Sequence, residues 1–210
     1  MTDELRDLVL HRGTRMHRVH RTHRTPVQFN PDASERTRRG GRFDATPDDP
    51  YPYYYAALTP EAAAFEVLLN EQARAVREPE VHRAAKGRTI SEVQLTANVR
   101  LVALLRPEDF AAAGQGEWLV RNGAEDYPRT RRWARAARVR APWAQGLIWR
   151  SAGDGRSCSV VLFGDRVAAS VLRPLEGGSH RLDEEPQVRW LSDLLGPRVP
   201  GPGPVSAGRD

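Results

Sequence analysis

The sequence predicts a single α+β domain, and three observations support this fold class. Apolar runs of strand length alternate along the chain with segments of helical periodicity. The chain has 210 residues and 40% of them are hydrophobic, which is enough for one core. The composition is unlike that of collagen, a coiled coil or a wholly disordered protein, and no internal repeat is visible. We therefore expect one domain with short terminal extensions.

The charge balance is basic but modest. Against 27 Asp and Glu residues the chain carries 32 Lys and Arg residues, a formal net charge of +5. Lys86 is the only lysine, so almost every cation is an arginine, which stays protonated at any accessible pH. We interpret most of this bias as compositional and expect most arginines to lie on the surface.

The single cysteine and the lack of long apolar runs bear on the cellular compartment. Cys158 alone cannot form a disulfide framework or a cysteine-based zinc site. No run approaches the roughly 20 apolar residues that a membrane helix needs. The N-terminus carries Asp3, Glu4 and Asp7 and lacks the apolar core of a signal peptide. We expect a cytoplasmic protein without membrane contact.

The first 31 residues are predicted to be exposed. Residues 1–15 are charged and suggest an arm or a short helix, and residues 16–31 suggest a solvated cationic arm. His17, His20 and His23 recur every three residues, but no acid or cysteine accompanies them. We therefore predict no metal site here.

A glycine pair then interrupts any regular element. Gly40 and Gly41 precede Arg42 and Phe43. Paired glycines allow positive φ angles and close approach of the backbone, which suits a loop at a ligand. An arginine in such a loop can hold a pyrophosphate through two parallel hydrogen bonds. The signal is weak alone, since neither a GxGxxG nor a GxxxxGK[ST] motif is present.

Residues 51–58 predict a strand because they are aromatic and follow a turn signal. Alternation places Tyr53 and Tyr55 on one face of a sheet and Tyr54 on the other. Such rings either stack on a planar ligand or fill the core with a hydrogen-bonded hydroxyl. Both interpretations remain open from this run alone.

A helix is predicted over residues 60–77, with Thr59 as N-cap and Pro60 at its first position. Glu66 lies on the flank of its apolar stripe, beside the small residues Ala62 and Ala63. These small neighbours leave room around its carboxylate, which suits a functional group. The alternative is an ordinary exposed helix glutamate.

The second half of the chain contains most of the remaining elements. Ser151 directly follows a buried strand, but no G-x-S-x-G motif surrounds it, so it suggests a ligand-positioning hydroxyl or a turn serine rather than a nucleophile. A C-terminal extension over 176–210 is Gly/Pro-rich, with an amphipathic patch at 188–195 and predicted disorder after about 196. In order, the other predicted elements are strands at 93–96 and 100–105, a short helix from 107, a loop over 114–123, an Arg/Ala helix over 127–140, strands at 146–149 and 159–163, and a last strand at 167–172.

Each of these signals is weak alone, but their order resembles the RES-domain family, which is named for an Arg, a Glu and a Ser. The resemblance covers about residues 16–170, and we assign the RES domain to 16–175. Its elements are Arg18, Gly40-Gly41-Arg42-Phe43, Tyr55-Ala56-Ala57, Glu66, and Leu147 leading to Ser151. Arg15, Arg21 and Arg24 also could correspond to the arginine that gives the family its name, and of the four we favour Arg18.

The resemblance implies fold, activity and partner together. It implies an ADP-ribosyltransferase-like fold with a mixed, mainly antiparallel sheet flanked by helices. It also implies a toxin of a bacterial toxin–antitoxin system that consumes NAD⁺, by hydrolysis, by phosphorolysis or by ADP-ribosyl transfer to a protein. The partner it implies is a helix-turn-helix antitoxin, so any nucleic acid would be contacted through that partner.

The expected chemistry assigns a role to each residue. Cleavage of the nicotinamide–ribose bond passes through an oxocarbenium-like cation, which a carboxylate can stabilise, and we assign that role to Glu66. Tyr55 would stack on or frame the nicotinamide, and Arg18 and Arg42 would hold the pyrophosphate. Ser151 would bond a ribose hydroxyl or the carboxamide. Neutral nicotinamide is the leaving group, so neither a strong acid nor a metal is expected.

Two alternatives stand beside NAD⁺ hydrolysis or phosphorolysis. Within the same chemistry, the acceptor of the ADP-ribose could be a protein. From another class, the cationic residues 11–24 and the arginines of 129–140 suggest a nucleic-acid-binding module, although no known signature of such a module is present.

Overall fold

A computed structural model describes residues 4–33, 40–68, 78–151 and 157–195. For residues 78–81 and 195 it describes the backbone only. In this part of the chain eight strands form a single sheet in the order β1-β5-β6-β7-β3-β2-β4-β8. The strands are β1 Asp7–Leu10, β2 Arg15–Arg21, β3 Tyr53–Ala57, β4 Arg88–Leu95, β5 Val99–Leu104, β6 Gly146–Arg150, β7 Cys158–Phe163 and β8 Leu172–Arg181. The helices are α1 Pro60–Leu68, α2 Glu78–Ala85, α3 Pro107–Ala112, α4 Trp118–Arg121, α5 Tyr127–Arg140 and α6 Gln187–Leu195.

The sheet is mixed and mainly antiparallel, which confirms the predicted α+β class. Of the described strand pairs, only β5 and β6 run parallel. At the centre of the sheet β2 and β3 share one pair of facing residues, His17 and Ala57, whereas β2 pairs with β4 along its whole length. Beyond His17 the two strands therefore diverge, and the sheet opens between them. None of the described helices is long and apolar enough to cross a membrane.

The two faces of the sheet pack separate apolar clusters. Tyr53 belongs to the cluster that α5 covers with Trp133, and Tyr55 packs against that cluster. Tyr54 belongs to the cluster on the opposite face. The alternation predicted for the tyrosine run is therefore confirmed.

Helix α1 begins where its sequence signals indicate. Pro60 is its first residue, and the backbone N–H of Ala62 donates to Oγ1 of Thr59 at 3.3 Å. Its alanines, Ala62 to Ala64, are buried against β2 and β3, so the helix lies close to the opening in the sheet. The second half of the predicted helix, residues 69–77, lies outside the described residues.

The N-terminal predictions were wrong. Residues 7–10 form strand β1 rather than a helix or arm, because their backbone pairs with β5. Residues 15–21 form strand β2, between β3 and β4, rather than a solvated arm. Met16 is fully buried and Arg18 and His20 are nearly so, and buried polar side chains concealed the strand pattern. The His20 ring is bonded to Ser91 and to a backbone carbonyl, and the described residues contain no cluster suited to a metal.

Two further predictions in the second half were wrong. The loop predicted over 114–123 contains helix α4. The last strand predicted at 167–172 is instead a 3₁₀ turn at Ala169–Val171 followed by β8, which pairs with β4 and runs past residue 175. Beyond it, Leu191 of α6 is fully buried, so the core includes part of the predicted extension.

We expect Arg138→Ala to lower the free energy of unfolding by about 3 kcal/mol, since it leaves two carboxylates without their buried cation. Arg138 is 5% exposed, bonds Asp49 at 3.0 Å and Asp165 at 2.7 Å, and stacks on the Tyr51 ring at 3.8 Å. Urea unfolding measures the effect. The control is Arg135→Ala on the same helix, whose exposed ion pair with Asp48 should contribute less than about 1 kcal/mol.

Candidate functional site

A cleft of about 750 Å³ lies where β2 and β3 diverge, and α1 forms part of its wall. Its volume falls in the range typical of small-molecule sites. The charged groups on its described wall are mostly cationic. They are Arg18, Arg21, Arg24, Arg42 and Arg88, against Asp44 and Glu66. Such a wall suits a ligand that carries several negative charges.

Glu66 reaches this cleft from the flank of α1. Its side chain is 16% exposed, and Oε2 lies 3.6 Å from Nη1 of Arg42. The other oxygen, Oε1, is buried without a hydrogen-bond partner in the described residues. Glu66 is therefore not the exposed helix glutamate of the alternative interpretation. A buried acceptor without a partner is costly unless a ligand or water satisfies it.

Arg42 is 3% exposed and lies on the wall of the cleft. Its Nε donates to Oδ1 of Asn122 at 3.1 Å, and its Nη2 donates to the backbone O of the same residue at 3.2 Å. The edge of the guanidinium formed by Nε and Nη2 is thus occupied by Asn122, and a pyrophosphate-binding role of Arg42 stays a prediction. Nη1 remains directed at Glu66.

The glycine pair shapes the loop that carries Arg42. Gly40 has a φ of +90°, a conformation that favours glycine. A Cβ on Gly41 would lie 2.6 Å from Oδ1 of Asp44 and 2.8 Å from the Tyr55 hydroxyl. The Gly41 N–H also donates to Oδ2 of Asp44 at 2.7 Å. The second glycine is therefore required by close packing rather than by its φ angle.

Tyr55 joins this loop to the sheet. Its hydroxyl accepts a hydrogen bond from the Phe43 N–H at 2.8 Å, and desolvation raises the pKa of that hydroxyl well above its ordinary value. Its ring packs edge-on against Tyr53 and Trp149 and lines the cleft. A neutral hydroxyl held in this way anchors the loop, while the ring remains available to frame a ligand.

Arg18 lines the cleft but is largely occupied. Its guanidinium lies 4.2 Å above the Tyr54 ring, and Nη1 donates to the backbone O of Gln28 at 2.5 Å and of Pro26 at 3.2 Å. Of the competing arginines, Arg21 and Arg24 also line the cleft, whereas Arg15 pairs with Glu92. Arg21 is exposed and lies opposite Arg88 across β2 and β4.

Ser151 is 2% exposed, directly after β6, and its N–H donates to the backbone O of Ser157 at 3.0 Å. It is not among the described residues that line the cleft. Residues 152–156 lie outside the described residues. The ligand-binding role of Ser151 stays a prediction.

Several residues that hold the site were not predicted. Thr130 of α5 donates to the backbone O of Arg42 at 2.5 Å, and Arg131 donates to that of Gly41 at 3.1 Å. Both are buried, so Arg131, like Arg138, does not follow the expectation of surface arginines. Thr130 and Arg131 share the inner side of α5 with Trp133 and Ala134, which is a weak sequence signal that buried polar positions lie there. Asn122, in the predicted loop, carried no such signal.

The fold and the cleft define an α+β domain with a largely shielded carboxylate on the wall of a mostly cationic cleft. Comparison with known proteins is consistent with this description. The family model described as "RES domain" matches residues 15–185. This chain therefore belongs to the RES family.

A solved structure has the same fold. It is described as the crystal structure of the M. tuberculosis MbcT-MbcA toxin-antitoxin complex, and the similarity has a TM-score of 0.64 at 17% sequence identity. The similarity covers 89% of this chain and 91% of that chain. No curated protein sequence matches the chain significantly.

Proposed function

We propose that this protein is a toxin-like enzyme that consumes NAD⁺ by breaking the bond between nicotinamide and ribose. Water or inorganic phosphate is the proposed acceptor, which would make it an NAD⁺ glycohydrolase or phosphorylase. The observation that carries the proposal is the environment of the Glu66 carboxylate. One of its oxygens is buried without a partner among the described residues, in a cleft whose other charges are mostly cationic.

The chemistry suits a carboxylate in this setting. As the C1–N bond to nicotinamide breaks, its electron pair leaves with the ring, which departs neutral, and positive charge develops on the ribose. A carboxylate near C1 stabilises that charge. The acceptor oxygen then bonds to C1 and releases its proton to solvent when the acceptor is water. Oε1 of Glu66 has no partner among the described residues, so we propose that it meets the ribose, while Oε2 faces Arg42.

The remaining residues supply binding and orientation. The pyrophosphate of NAD⁺ needs several cationic donors, and we propose Arg18 and Arg42 for this role, on a wall that also carries Arg21, Arg24 and Arg88. We propose that Arg42 orients Glu66 and that the Tyr55 ring frames the nicotinamide. Ser151 remains our candidate for a ribose hydroxyl or the carboxamide. No metal is required by this scheme.

We also propose an antitoxin partner and a cytoplasmic location. Membership of the RES family and the fold shared with a protein solved in a toxin–antitoxin complex support the partner. A helix-turn-helix antitoxin is the kind implied by the sequence resemblance, and NAD⁺ is available to the enzyme in the cytoplasm.

The acceptor separates this proposal from its alternative, ADP-ribosyl transfer to a protein. We expect NAD⁺ labelled in the adenylate moiety to yield free ADP-ribose, or ADP-ribose 1″-phosphate when phosphate is added, with little label on protein. Chromatography and gel autoradiography of one reaction measure all three products. Label that appears on protein without either free product would favour the transferase.

The cations that suggested nucleic-acid binding have other contacts. Arg131 and Arg138 of α5 are buried, and Arg129 stacks on the Trp118 ring at 3.9 Å. Arg135 pairs with Asp48, and the guanidinium of Arg18 stacks on the Tyr54 ring. These contacts leave a less continuous basic surface than the sequence suggests, so we do not propose that function.

A further inference from the structure

One side of the Arg42 guanidinium is held by Asn122. Two of its three nitrogens, Nε and Nη2, donate to the side-chain and backbone oxygens of Asn122. The third, Nη1, lies 3.6 Å from Oε2 of Glu66. The three residues come from the glycine loop, the end of α4 and the middle of α1. Asn122 does not line the cleft in the described part of the chain.

We propose that Asn122 is a positioning residue for the reaction. Its two oxygens orient Arg42, and Arg42 in turn fixes the carboxylate of Glu66 in the cleft. This inference rests on the proposed function, because it takes Glu66 as the group that meets the reacting ribose.

Because Arg42 is buried, water cannot easily replace its hydrogen bonds to Asn122. Arg42 is 3% exposed, so an N–H that loses its acceptor cannot turn to bulk water in place. The ring of Tyr127, 5.6 Å from the guanidinium carbon, flanks it on a further side. Without the Asn122 Oδ1 acceptor, the guanidinium would turn to find another partner and draw the Glu66 carboxylate with it. A small displacement of a reacting group is enough to slow chemistry.

The acceptor atom, rather than the amide as a whole, carries the effect. Nδ2 of Asn122 is buried without a partner in the described residues, so it contributes no hydrogen bond there. Aspartate offers an oxygen at the position of Oδ1 with the same side-chain length. Alanine and leucine offer none, and leucine keeps a similar volume. The series therefore separates hydrogen bonding from packing.

We expect Asn122→Ala and Asn122→Leu to lower kcat for nicotinamide release about 10- to 100-fold. KM should change less than about threefold, because Asn122 is not among the described residues that line the cleft. Asn122→Asp should restore kcat to within about fivefold of the wild type. The matched control is Asn98→Ala, since Asn98 also accepts through Oδ1, from the N–H of Arg12, at an exposed site.

A second readout does not depend on activity. In a nitrogen-15 NMR spectrum of arginine side chains, the Nε–H signal of Arg42, assigned by its loss in Arg42→Lys, should be protected from exchange in the wild type and in Asn122→Asp. It should move or broaden in Asn122→Ala and Asn122→Leu. If the wild type releases no nicotinamide, the proposed function fails, and this signal still decides whether Asn122 orients Arg42.

The inference is overturned by any of three results. The first is an Arg42 signal unchanged in the alanine and leucine variants. The second is a kcat within about threefold of the wild type in both. The third is a loss of kcat in Asn122→Asp equal to that in Asn122→Ala.

Discussion

Replacing Glu66 by glutamine is expected to slow nicotinamide release about 100- to 1000-fold while the protein keeps its fold. Glutamine preserves the shape of the side chain but removes the negative charge that would stabilise the ribosyl cation. Since Arg42 remains bonded to Asn122, the loop around it should hold its position. Initial rates at saturating NAD⁺ measure the effect, and calorimetric binding of NAD⁺ should change by less than about tenfold.

The control for this variant lies on the same helix. Glu61→Gln makes the same chemical change in the first turn of α1, and Glu61 is not among the described residues that line the cleft. Its rate should stay within about twofold of the wild type. If Glu66→Gln and Glu61→Gln have equal rates, Glu66 does not carry the chemistry. Toxicity in cells should follow the rates.

Replacing Gly41 by alanine is expected to lower both activity and stability. The added Cβ would lie 2.6 Å from Asp44 Oδ1 and 2.8 Å from the Tyr55 hydroxyl, so the loop or the tyrosine must shift. Overpacking of this kind costs about 1–3 kcal/mol of unfolding free energy. Because Arg42 follows directly in the chain, the shift should also slow nicotinamide release about 10- to 100-fold. Urea unfolding and the rate assay measure the two effects.

A second glycine provides the comparison. At Gly116 a Cβ would meet only the Trp118 side chain, at 3.6 Å, an ordinary contact. Gly116→Ala should therefore leave activity unchanged and alter stability by less than about 0.5 kcal/mol. A Gly41→Ala enzyme as active and as stable as Gly116→Ala would show that the loop is not packed as described.

The elements that the sequence predicts well have local patterns that match their burial. Strands β3, β6 and β7 are runs of apolar or aromatic residues, and α5 keeps Trp133 and Ala137 on its buried side. Strands β2 and β8 are rich in polar residues, and β1 has only four residues, so the places of all three are determined by pairing with distant strands. No local pattern encodes such pairing, so the N-terminal arm and the last strand were predicted wrongly.

In the candidate site, too, the sequence predicts what has a local pattern and misses what depends on distant contacts. The order of Gly41, Arg42, Tyr55 and Glu66 along the chain was sufficient to group them, and the structure places all four on one cleft. The contacts of Arg42 could not be predicted in this way. Asn122 lies 80 positions from Arg42 in sequence, and Thr130 lies 88 positions from it. Their hydrogen bonds exist only once α4 and α5 pack beside the glycine loop.

The central claim is that this chain breaks the nicotinamide–ribose bond of NAD⁺. Its most direct test is a proton NMR time course of NAD⁺ with a catalytic amount of the purified wild-type protein, in phosphate-containing buffer. We expect the proton resonances of the nicotinamide ring of NAD⁺ to disappear as those of free nicotinamide grow, over many turnovers. NAD⁺ that stays intact at stoichiometric enzyme, in a protein shown to be folded, would contradict it.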